Sequence, residues 1–162
     1  RCEDAVRMST PGVALVGEGA GDTRPTIGDG HLVSVRITAP GCRLSNVIVR
    51  QSMQRATDDD RPFAILVNTA ESVSGSRGGH NSSPDGAGPS APVVIDGCDA
   101  MSEGGSSIGV QGHGTVAHIT GCNVRRAELS GVYVCNDARA TLRECTITRA
   151  DYCGVLVKKA QA

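Results

Sequence analysis

The sequence predicts an all-β fold, a parallel β-helix of about five to six coils, and three observations carry that expectation. The first is a unit written twice. ITGCNV (119–124) with SGVYV (130–134) and LRECTI (142–147) with CGVLV (153–157) hold Ile119 to Leu142, Cys122 to Cys145, Val132 to Val155 and Val134 to Val157 at a single offset of 23 residues. A weaker upstream copy, IDGCDA (95–100) and SIGV (107–110), keeps Ile95 to Ile119, Cys98 to Cys122, Ile108 to Val132 and Val110 to Val134 at 24. The second observation is period. Ala140 and Leu142, then Cys145 and Ile147, then Val155 and Val157 alternate in twos, with a one-residue slip after Leu142. Period two is a strand signal, where helical repeats would show spacings of three and four. The third is composition. The chain has 162 residues and 21 glycines, and glycine serves a fold with many tight corners.

Taken from the amino terminus, residues 1–11 carry weak periodicity and read as a short strand or a cap. Val13 and Leu15 alternate up to Gly17, and GEGAGDTRP (17–25) follows as a loop. No Gly-Lys-Ser/Thr follows this glycine-rich stretch, so it reads as a corner rather than a phosphate cradle. Val33, Val35 and Ile37 alternate next, and Ala39-Pro40-Gly41 is a turn. CRLSNVIV (42–49) restates the core form, with Leu44, Val47 and Val49 in the places of Leu142, Cys145 and Ile147. FAILV (63–67) supplies Ile65 and Val67 in the places of Val155 and Val157. The link before it, QSMQRATDDDRP (51–62), is longer than its later equivalents, since Leu44 to Ile65 spans 21 residues and Leu142 to Val155 only 13. Residues 71–92, rich in Gly, Ser and Pro, read as an inserted loop. Asn81-Ser82-Ser83 within it has the letters of a glycosylation sequon. From Val93 onward the coils are regular. The whole chain, 1–162, reads as a single β-helix domain, and with no amphipathic cap at either end it reads as a piece of a longer protein.

The form "x-L-x-x-C-x-I … G-V-x-V", over roughly residues 93–160, resembles the right-handed parallel β-helix repeat of the pectin lyase-like superfamily. It is closest in style to the non-catalytic β-helices of F-box and related eukaryotic adaptor proteins. GVALVGEGAGDTRPTIGDG (12–30) is similar to the opening of such helices. The resemblance implies a right-handed solenoid. It also implies two function classes, an interaction scaffold and a polysaccharide-modifying enzyme. The residues argue against the second. In place of the pectin methylesterase blocks Q-D-T-L and D-F-I-F-G stand LSGVYV (129–134) and DYCGVLV (151–157). The carboxylate pair that acid–base chemistry needs is therefore missing, apart from Asp151 falling loosely near one position. No D-P-H block of the alginate-epimerase type occurs.

Candidate binding residues lie in the two long insertions: Asp58, Asp59, Asp60 and Arg61 in the first, His80 and Asp85 in the second. The aspartates could supply oxygens to a cation of the pectate-lyase kind, although three consecutive carboxylates also read as a solvated loop. No catalytic residue, cofactor or metal is assigned. None of the seven cysteines stands in C-x-x-C spacing, which leaves no zinc pattern. Cys98, Cys122 and Cys145 share one repeat position and should form a ladder of free thiols inside the helix. The other ladder positions are Ile95, Ile119 and Leu142, and Val110, Val134 and Val157. The odd number of cysteines leans towards a reducing, intracellular compartment, cytoplasmic or cytoskeletal.

Lys and Arg number 16 against 17 Asp and Glu, for a net charge of −1. That balance lacks the basic excess of a nucleic-acid binder. Two Tyr, one Phe and no Trp leave few platforms for bases or sugars. No apolar run is long enough for a membrane helix. The outward strand positions are mixed (Arg143, Glu144, Thr146, Thr148, Tyr133, Lys158) and suit protein contact. The expected function is a non-catalytic protein-interaction or scaffold domain, with protein partners. Carbohydrate is the alternative partner class.

Overall fold

The computed structural model describes residues 6–28, 30, 32–52, 62–69 and 90–159. Sixteen strands lie among them. The first coil holds β1 (Val6–Met8), β2 (Ala14–Val16) and β3 (Thr26–Gly28); the second holds β4 (Val33–Ile37), β5 (Arg43–Ser45) and β6 (Ile48–Gln51). The third holds β7 (Phe63–Val67), β8 (Val93–Asp96) and β9 (Asp99–Ser102), and the fourth β10 (Ser106–Gln111), β11 (Val116–Thr120) and β12 (Asn123–Ala127). The fifth holds β13 (Ser130–Cys135), β14 (Arg139–Arg143) and β15 (Thr146–Ala150), and β16 (Cys153–Lys158) opens a sixth. Each coil sends one strand to each of three sheets, ordered β1-β4-β7-β10-β13-β16, β2-β5-β8-β11-β14 and β3-β6-β9-β12-β15. Every lateral pairing is parallel. The chain is an all-β parallel β-helix.

The repeat offset is the pairing register. Val132 pairs with Val155 and Val134 with Val157, Ile119 with Ile95 and Leu142, and Val124 with Ala100 and Ile147. A parallel ladder repeats every side chain about 4.8 Å along the axis, so like residues stack on like. The lumen is lined by Val35, Ile37, Leu44, Val49, Ile65, Ile95, Ile108 and Ile119, all fully buried. Burial falls off at the last strand, where Val155 is 47% and Val157 73% exposed. A lumen residue is covered only by the coils above and below it, and no described coil covers β16.

The one-residue slip in the sequence corresponds to a corner. Asn46, Gly97, Gly121 and Glu144 each follow the second strand of their coil with φ between 53° and 61°. This left-handed residue turns the chain so that Val47, Cys98, Cys122 and Cys145 point back into the lumen. Asn46 adds side-chain bonds, its Nδ2 donating to the carbonyls of Gly17 at 2.8 Å and Gly19 at 3.0 Å.

A second, smaller apolar cluster lies on the outside of the six-stranded sheet. Val33, Phe63, Leu66, Tyr133 and Cys135 form it, with Leu156 against it. Tyr133 does face outward, in register with Leu66, Gly109 and Leu156, but it is buried and not part of a mixed contact surface. The Phe63 and Tyr133 rings stack at 6.4 Å. Gly109 makes room for this, because a Cβ there would sit 2.5 Å from Cε1 of Phe63.

Candidate functional site

On the sheet β3-β6-β9-β12-β15 the inner column is Ile27, Val49, Ala100, Val124 and Ile147, so the flanking positions face outward. One outward column runs Gly28, Arg50, Met101, Arg125, Thr148. Beside it β12 and β15 each carry one extra residue. Arg125 and Ala127 pair with the consecutive Met101 and Ser102 of β9, which leaves Arg126 as a bulge. Arg149 occupies the same place in β15. Both are left-handed, at φ 52° and 55°, a conformation that costs a long side chain energy and that bulges use to re-aim side chains. The outcome is a cleft of about 540 Å³ lined by Arg50, Arg125, Arg126 and Arg149, with Ile48 and Met101 as its apolar patch.

Asp99 sits in this cleft and is 6% exposed. Its Oδ2 accepts from Nη2 of Arg24 at 2.9 Å and from Nη2 of Arg125. Arg24 is further fixed by donating from Nε to the Gly21 carbonyl at 2.8 Å and from Nη1 to the Gly97 carbonyl at 2.9 Å. The carboxylate is shared by the two guanidiniums, so Asp99 holds Arg24 and Arg125 in place. The guanidiniums of Arg50 and Arg149 have no ion-pair or hydrogen-bond partner among the described residues. Arg126 has only Glu103, at 3.9 Å and well exposed. The next corner carries Glu103, Glu128 and Asp151 beside Arg126 and Arg149. A basic column and an acidic column therefore run side by side across the coils.

Asp58, Asp59, Asp60, Arg61, His80 and Asp85 lie outside the described residues. Among the described residues no three His, Cys, Asp or Glu side chains gather within reach of one metal ion. His113 lies 3.9 Å from Asp137 with both well exposed, and His118 is exposed on β11. Cys98, Cys122 and Cys145 lie on the other side of the wall. Their thiols donate to the carbonyls of Leu44, Ile95 and Ile119 one coil back, at 3.6, 3.6 and 3.4 Å. The Cys98 thiol beside it, and then burial, push the Cys122 thiol far above the ordinary range, and the same contact pulls the Cys98 thiol down.

Sequence reading alone did not find the arginine cleft. One signal was present: Arg126 and Arg149 stand 23 residues apart, the repeat offset itself. The pairing of Arg24 with Asp99 has no such signature. No helix among the described residues is long and apolar enough to cross a membrane. Comparison of the chain with protein-family models, with curated proteins and with solved structures finds no match.

Proposed function

We propose that this β-helix is a non-catalytic protein-interaction or scaffold module, in the manner of the adaptor β-helices its repeat resembles. The observation that carries the reading is the state of Asp99. It is the one buried carboxylate among the described residues, and it is held between Arg24 and Arg125. Its part is to position guanidiniums at the cleft, which is the work of a binding surface. The adjoining basic and acidic columns favour a partner of mixed charge, which a protein surface supplies. Six cysteines, Cys42, Cys98, Cys122, Cys135, Cys145 and Cys153, are free, which fits a partner met in a reducing compartment.

The second reading is a module that binds an anionic polysaccharide, and the arginines of the cleft favour it. The two separate in one experiment. Affinity capture from a cell extract should return defined protein partners, and columns of pectate or alginate should not retain the chain. Retention on either polymer, or its cleavage, would replace the scaffold reading with the carbohydrate one.

A further inference from the structure

The cleft beneath the bulged arginines has a charge that the rest of the chain lacks. Arg50, Arg125, Arg126 and Arg149 line it, against Asp22 and Asp99. The local excess is four cations against two carboxylates, a net of +2, in a chain of net −1. One of the four, Arg125, is preorganised. Asp99 anchors Arg125 from below, and Arg24 is held by three acceptors. Arg126 and Arg149 occupy the same bulge in successive coils, which sets their Cα atoms about 4.8 Å apart along the axis. A guanidinium offers a planar fork that matches a carboxylate or phosphate in bidentate fashion.

We infer that this cleft is a docking site for an acidic segment of a partner protein, its carboxylates or phosphates received by Arg50, Arg125, Arg126 and Arg149. The inference deepens the protein-interaction reading and rests on it. Three features favour a peptide over a uniformly charged polysaccharide. The cleft has no aromatic side chain in its lining on which a sugar ring could stack. Its apolar patch is Ile48 and Met101, and a thioether adapts its shape to a neighbouring side chain. Glu103, Glu128 and Asp151 border the arginines and would repel a polymer that is anionic throughout. A peptide can turn a neutral or basic residue towards them.

The probe is a fluorescein-labelled peptide with a run of glutamates followed by neutral and lysine residues, titrated by anisotropy against the full chain. A phosphoserine peptide and an oligogalacturonate of matched length serve as the comparisons. The variant is R50E/R149E, chosen because both residues are exposed. R139E on β14 is the control for adding negative charge elsewhere, and circular dichroism verifies the fold of each. The inference expects the glutamate peptide to bind, with affinity falling about tenfold or more in R50E/R149E and less than about twofold in R139E. Binding should also weaken strongly at roughly 0.5 M salt, where exposed charges are screened. Tighter binding of the phosphoserine peptide, lost in the same variant, supports the same site with phosphate as the oxyanion. Absence of peptide binding, or equal losses in the two variants, overturns the inference. If a captured protein partner is then still retained by R50E/R149E, the scaffold reading survives with its contact elsewhere. Tighter binding of the oligogalacturonate at the same arginines overturns both.

Discussion

At the scale of single residues, the corner between the second and third strands of each coil shows how conformation and packing divide the chain's choices. The position demands a left-handed backbone, and successive coils fill it with Asn46, Gly97, Gly121 and Glu144. Glycine takes this conformation at little steric cost, and asparagine tolerates it. Glu144 has neither advantage. Glu144→Gly should therefore raise stability by about 0.5–1 kcal/mol, the strain relieved being larger than the entropy lost on ordering a glycine. A urea denaturation midpoint checks it, and a lower midpoint in the variant would contradict the corner geometry. Ser107 is a second such case. Its Oγ is buried and has no hydrogen-bond partner. The residue beside it in the preceding coil, in the register of Ser106 with Phe63 and Ile108 with Ile65, is Ala64. Ser107→Ala should be neutral or stabilising by up to about 1 kcal/mol, because a buried hydroxyl without a partner costs its desolvation. Thermal unfolding of the pair of proteins reads the sign.

At the scale of the element, the six-stranded sheet is apolar on both faces, which a simple alternation of inside and outside does not anticipate. Leu66, Tyr133 and Leu156 stand in one outward column, and the Phe63 ring lies over Gly109 within it. The ring occupies the space that a side chain on β10 would otherwise take. Gly109→Ala should push Phe63 from its place against Tyr133 and cost about 1–3 kcal/mol, in the range of overpacking a well-filled site. Combining it with Phe63→Leu should recover part of that loss, because the clash is with the ring. A double-mutant cycle measures the recovery, and strict additivity would show that the ring is not the obstacle. On the third sheet the corresponding outward columns are polar apart from Ile48 and Met101, and there the bulges of β12 and β15 turn Arg126 and Arg149 to one cleft. One backbone device, an extra left-handed residue, thus makes corners in one place and aims charges in another.

At the scale of the whole molecule, the solenoid is a lumen closed by repetition, so a property of one coil recurs as a column. The thiol column is the example with a measurable consequence. Cys122 keeps its proton in the folded chain because of its contact with Cys98 and its burial, and the same contact pulls the Cys98 thiol below its ordinary value, whereas an unfolded thiol titrates near 9.0. For Cys122 the folded value is the higher one. Stability from this thiol is therefore complete below the unfolded value and lost as pH rises through and above it, by about 1.4 kcal/mol per pH unit for one thiol. Cys98→Val/Cys122→Val puts residues of the Val47 kind into the ladder and removes both titrating groups. The stability difference between the two proteins should move towards the wild type as Cys98 gives up its proton early, and then shift against the wild type as pH rises above about 9, where Cys122 holds a proton that the unfolded chain has lost. Urea midpoints below and above that pH test it, and a flat difference would mean that Cys122 is not held protonated.

The sequence alone determined the fold class, because a parallel helix places equivalent residues on top of one another and so writes its pairing register into the chain as an offset. Ile119 with Leu142 and Val132 with Val155 are contacts legible before any coordinates. The slip between Leu142 and Cys145 was visible too, though only the structure shows it to be a left-handed corner at Glu144. What sequence could not reach is whatever depends on a single side chain crossing between coils or between faces. Tyr133 read as exposed because its neighbours alternate, and only the packed Phe63 and Leu66 bury it. The candidate cleft was out of reach for the same reason. Arg24 and Asp99 are 75 positions apart, 99 minus 24, and share no repeat position. Their meeting is decided by the third dimension, where the stacked coils bring the turn before β3 to the start of β9.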